Sequence, residues 1–203
     1  MEGQQEEFNM SKQSKSIHKL VGLALFTAIV VVLQLISSMI RFGPFSITLA
    51  LVPIVVGAAM YGIAGGAWLG LVFGLTVLLS GDAAPFLAVN AAGTIITVLA
   101  KGALAGAAAG LFYRLLKNTN KTFAVAVGAF SAPIVNTGVF LLGCLCFFMP
   151  TIRQWAEGAG FDNAGTYMII GLVGVNFLVE LGTILVLSPV IHRLIRIGLK
   201  EKD

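Results

Sequence analysis

Apolar residues fill most of the chain in runs of about the 20 positions that a helical bilayer crossing requires. Six helices follow from this pattern, over 17–40, 46–62, 64–80, 88–116, 122–149 and 166–196. Four of the breaks between them carry turn chemistry: Arg41-Phe42-Gly43-Pro44, Ser80-Gly81-Asp82-Ala83-Ala84-Pro85, Lys117-Asn118-Thr119-Asn120-Lys121, and the stretch 150–165. The fifth, Tyr61-Gly62-Ile63-Ala64-Gly65-Gly66, is short and uncharged, so it must be a tight turn or a kink. The expectation is an all-α integral membrane protein: a tail at 1–16, a compact six-helix bundle over 17–197 and a second tail at 198–203.

Composition narrows the function classes. Of 203 residues, 58% are apolar and only 11% charged, which leaves no room for a soluble domain beside six spans. No G-x-x-x-x-G-K-[ST] loop is present to hold the phosphates of a nucleotide, so the energy for any transport must come from a gradient or another protein. The net charge of +4 does not mark a nucleic-acid partner, because the cations flank apolar runs instead of forming a patch. Glu2, Glu6 and Glu7 ahead of the basic stretch, and the full-length apolar run from Val21, predict a retained first helix and not a cleaved signal.

Cations also predict orientation. With six crossings, Lys12, Lys15, Lys19, Arg114, Lys117, Lys121, Arg193, Arg196, Lys200 and Lys202 collect on the side of both termini, against Arg41 and Arg153 on the other. The positive-inside tendency therefore places both termini in the cytoplasm and the 80–88 and 150–165 loops outside.

Small residues recur every fourth position at Gly62, Gly66, Gly70 and Gly74, at Gly102, Gly106 and Gly110, and at Ala124, Gly128 and Ala132. Close helix packing within the bundle accounts for all three stripes. Ala24 and Ala28 repeat the spacing on the first helix, where the small face serves an internal neighbour or an external partner equally well.

Lys101 is the most informative residue, since a cation halfway along a span costs several kcal/mol unless paired or hydrated. Glu180 lies at a matching depth of roughly 20 Å, counted by helical rise from the outer ends, and Asn136 lies near it after Pro133. Asn90, Thr94, Thr97 and Lys101 share one face of the fourth helix; Asn176, Glu180 and Thr183 share one of the sixth; Asn136 and Thr137 come from the fifth. They predict a polar cavity opening outward, or else a buried Lys101–Glu180 pair that merely locks the bundle. Arg153, Trp155, Glu157, Phe161, Asp162 and Tyr167 load the 150–165 loop, either as headgroup anchors or as a lid over a small ligand, with Asp82 and Phe86 as helpers. Cys144 and Cys146, two apart, point to different sides of a helix; no metal site, cofactor or catalytic motif is expected.

With its basic N-terminal segment and Ala24-x-x-x-Ala28, the chain resembles, over 17–197, a substrate-binding S component of an energy-coupling-factor (ECF) transporter. Ile47 to Ala58 followed by Gly65-Gly66-Ala67-Trp68-Leu69-Gly70-Leu71-Val72-Phe73-Gly74 is similar to the second and third helices of that family, and Pro133-Ile134-Val135-Asn136-Thr137-Gly138 to its fifth. The resemblance implies a multi-pass protein of a bacterial cell membrane that captures a vitamin from outside and is not an enzyme. It further implies a transmembrane coupling subunit, docked at Ala24 and Ala28, and two ATP-binding subunits as partners. One deep cation and several amides and hydroxyls suit a carboxylate such as pantothenate, with Lys101 or Arg153 opposing the acid. Riboflavin is the second choice, covered by Trp155, Phe86 and Tyr167. A stand-alone proton-coupled carrier or channel using Lys101 and Glu180 is the reading from a different class.

Overall fold

The computed structural model describes residues 2–42, 45–46 and 48–198. Gly43, Pro44, Ile47, the tail from 199 with Lys200 and Lys202, and the side chains of Lys12, Lys15 and Arg41 lie outside the described residues. The elements are α1 (Glu2–Met39), a two-residue antiparallel pair β1 (Arg41–Phe42) and β2 (Phe45–Ser46), α2 (Leu51–Leu79), α3 (Ala84–Val89), α4 (Ala91–Leu116) and α5 (Lys121–Gly143). A π-wound turn, Cys144–Phe148, leads from α5 into α6 (Met149–Gly158). A last rod joins α7 (Ala164–Thr166), a π-wound stretch Tyr167–Gly174 and α8 (Val175–Gly198).

Among the described residues, five helical segments are long and apolar enough to cross a membrane: Ser16–Met39, Leu51–Leu79, Ala91–Leu116, Lys121–Gly158 and Ala164–Gly198. The expected break at Gly62 is present within the second. Gly62 adopts φ 81° and ψ −171°, a conformation open only to glycine, and the chain folds back there. The Leu69 side chain touches Gly57, twelve residues away, although a continuous helix would hold them about 18 Å apart. The predicted helix 46–62 begins late, at Leu51, and its arm 51–61 is about 16 Å long, shorter than a roughly 30 Å hydrocarbon core.

The glycine stripes explain the packing. A Cβ at Gly66 or Gly70 would strike the backbone carbonyl of Gly106 or Gly102, and one at Gly74 would meet that of Val98. The outer arm of α2 thus runs antiparallel to α4 at near backbone contact, where bulk would force the helices apart and forfeit dispersion contacts. Gly128 lies against the Ala109 carbonyl, with Ala124 and Ala132 fully buried beside it, so the third stripe joins α5 to α4. Helix α8 packs on α5 and α2. Helix α1 lies at the edge, tied to α2 by Trp68 Nε1 donating to Thr27 Oγ1 at 3.1 Å and by an edge-on Phe26–Tyr61 pair.

Two expected loops are largely helical. Ser80 to Val89 contains α3, started by Pro85 in its first turn. Most of 150–165 is α6, again with a proline, Pro150, at its start, and only a short turn precedes α7.

Candidate functional site

Where α1, α2, α3, α4 and α8 converge on the side away from Gly62, a cavity of about 50 Å³, partly open to solvent, is lined by Gln34, Thr48, Asp82, Thr94, Thr97, Lys101 and Asn176. Its apolar walls include the rings of Phe73, Phe86, Phe140 and Phe148. A second lobe of about 40 Å³ shares Lys101, Phe140 and Asn176 and adds Asn136, Thr137, Leu172 and Val173. Phe86 and Leu172 also border an outer groove of about 470 Å³ with Trp155 and Tyr167. Phe86 stands edge-on to Phe140, Phe148 and Trp155, at centroid distances of 5.5, 5.0 and 5.4 Å, and so separates groove from cavity.

Lys101 Nζ sits 5.8 Å from the centroid of Phe73 and 5.4 Å from that of Phe140. Ring faces offset part of the cost of burying an ammonium but supply no hydrogen-bond acceptor comparable to a carboxylate. The direct pairing with Glu180 is not made, because α8 packs on α5 and α2, and the Glu180 carboxylate is engaged elsewhere. Glu180 Oε1 accepts from Asn176 Nδ2 at 3.0 Å, and the Thr48 and Asn136 side chains gather at the same group. The two charges still act on each other through space.

Among the described residues, four buried side-chain oxygens have no hydrogen-bond partner: Gln34 Oε1, Thr97 Oγ1, Asn136 Oδ1 and Glu180 Oε2. Each costs about 1–3 kcal/mol if left so, and each belongs to a residue that lines the cavity or, for Glu180, stands directly behind Asn176. All four accept hydrogen bonds; only the threonine hydroxyl also donates. Among the described lining residues the site therefore offers one cation, Lys101, one carboxylate, Asp82, and a set of neutral acceptors.

The predicted residues divide accordingly. Thr94, Thr97, Lys101 and Asn176 line the cavity, Asn136 and Thr137 the second lobe, and Trp155 the outer groove. Glu180, 1% exposed, lies in a second layer. Asn90 does not reach the cavity: it is the N-cap of α4, its side-chain oxygen accepting from Gly93 N at 2.9 Å. Arg153 is exposed on α6, away from the cavity lining, because α6 turns it outward. Ala24 and Ala28 are exposed on α1. Sequence reasoning missed Gln34, Phe73, Phe140 and Phe148 as lining residues. The isolated amide of Gln34 in an apolar span was a signal of the same kind as Lys101; single phenylalanines among many apolar residues gave none.

The family described as ECF transporter, substrate-specific component, matches residues 18–192. Among solved structures, ThiT from Listeria monocytogenes is similar in fold at a TM-score of 0.62 and 24% sequence identity, over 92% of this chain and 97% of that one. No curated protein matches the sequence.

Proposed function

We propose that this chain, which belongs to the ECF transporter substrate-specific component family, captures a hydroxylated carboxylate vitamin in the cavity around Lys101. Members of the family are multi-pass membrane proteins that bind small-molecule vitamins and work with the transporter's membrane and ATPase modules. The observation that carries the proposal is the pairing of one buried ammonium, held between phenyl rings, with three unpartnered oxygens on lining residues, those of Gln34, Thr97 and Asn136. Pantothenate matches that inventory: its carboxylate faces Lys101, while its two hydroxyls and amide N–H supply donors. In this reading both termini are cytoplasmic, the cavity opens outward across a bacterial cell membrane, and the chain catalyses no reaction. One transmembrane coupling subunit and two ATP-binding subunits drive release, with the coupling subunit on the exposed Ala24–Ala28 face of α1.

Calorimetric titration of the purified chain with pantothenate tests the assignment. Saturable binding supports it, and absence of heat and of saturation removes pantothenate. A second reading, riboflavin, has its own support: Phe86, Trp155 and Tyr167 meet in the outer groove and four phenyl rings wall the inner cavity, so a flat ring system has surfaces to stack on. The same titration with riboflavin decides between them. Reconstitution of the chain alone in liposomes separates capture from carriage, because a proton-coupled carrier would accumulate ligand under a gradient without partners.

A further inference from the structure

Gln34 is the one cavity residue contributed by α1, and its side chain is 1% exposed. Its Nε2 donates to Asp82 Oδ2 at 2.9 Å, and Ser80 Oγ donates to the same oxygen at 3.1 Å. A carboxylate accepts and does not donate, so Asp82 fixes which end of the amide is which. The nitrogen is turned to the loop between α2 and α3, and Oε1 of this cavity-lining residue is left buried without a partner. Burying a carbonyl in this way is unfavourable unless something in the cavity donates to it.

We propose that Gln34 is a specificity-determining residue, its Oε1 accepting a hydrogen bond from a hydroxyl or amide N–H of the captured molecule and Asp82 acting as the positioning residue for that amide. The inference rests on the capture function above and adds a substrate requirement: the ligand carries a neutral donor that reaches the α1 side of the cavity, apart from the anionic group opposite Lys101. Binding thereby engages α1, which is otherwise peripheral, with the other helices lining the site.

The test is a cycle between protein and ligand. Wild type and Gln34→Met, which keeps side-chain length while removing the acceptor, are titrated with pantothenate and with three analogues: either hydroxyl replaced by hydrogen, or the amide N-methylated. Gln34→Met is expected to weaken pantothenate about ten-fold, the size of one lost hydrogen bond with its donor left unmet. One of the analogues is expected to lose about as much on wild type and little further on the variant. A merely structural clasp between α1 and the loop would weaken all four ligands alike, and additive losses across the whole set overturn the proposal. If wild type binds riboflavin and not pantothenate, the pantothenate reading fails by itself, and the same cycle is run with riboflavin and its N3-methyl and deoxyribityl analogues under the same criterion. Recovery of affinity in the exchange Gln34→Glu with Asp82→Asn, which reverses donor and acceptor while keeping an oxygen toward the cavity, supports the assignment. Failure of that exchange together with additive losses contradicts it.

Discussion

An ammonium buried between two phenyl rings is held but not neutralised, and under the proposed function Lys101 is the residue on which affinity for an anion depends. A charge-assisted hydrogen bond is worth about 1.5–3 kcal/mol, so Lys101→Met should weaken binding of the carboxylate ligand roughly 10- to 150-fold in calorimetry. Its fold should persist, because no direct ion pair to Glu180 is broken. Asn90→Ala provides the opposite pattern. It removes a helix cap and should lower stability by about 1 kcal/mol in thermal unfolding while leaving affinity within about two-fold, because Asn90 lies outside the cavity. The contrast shows what was legible at this scale. Thr94, Thr97 and Lys101 were readable because helical spacing alone puts them on one face. Asn90 carried the same spacing, but it is also a favoured capping residue, and one sequence does not say whether a helix begins before or at such a position. Arg153 was unreadable for a related reason: the direction in which α6 faces depends on the π-wound turn before it.

At the level of the helices, the contacts that hold the bundle are glycine to backbone. Gly70→Ala places a methyl group against the Gly102 carbonyl and should lower the unfolding temperature clearly, because neither backbone can yield without moving its helix. Gly138→Ala, with nothing within 4 Å of its added Cβ, should be neutral or raise stability by up to about 1 kcal/mol through helix propensity. Thermal unfolding in detergent of the two variants side by side checks both. These stripes were readable in the sequence because four-residue spacing of small side chains has one meaning in an apolar helix. The turn at Gly62 was readable as a break. Its sharpness was not, since a kink and a reversal share the same residues, and contacts across the turn, such as Gly57 with Leu69 and Gly66 with Ala58, distinguish them. The prolines of α3 and α6 were read as loop signals although each stands in the first turn of a helix, where its missing N–H costs nothing.

Taken as a molecule, the chain has a buried polar interior on one side of the Gly62 turn and a peripheral helix whose small residues are exposed. Under the proposed function, capture and assembly use different surfaces. Replacing Ala24 and Ala28 together with tryptophan should leave vitamin binding unchanged and abolish co-purification with the coupling subunit. The claim on which the rest depends is that the cavity around Lys101 is the place of capture. Equilibrium dialysis of labelled pantothenate against the purified chain and its Lys101→Met variant measures this most directly. The account predicts saturable one-to-one binding to the first and a loss of at least about ten-fold in the second. Equal binding by both proteins would contradict it.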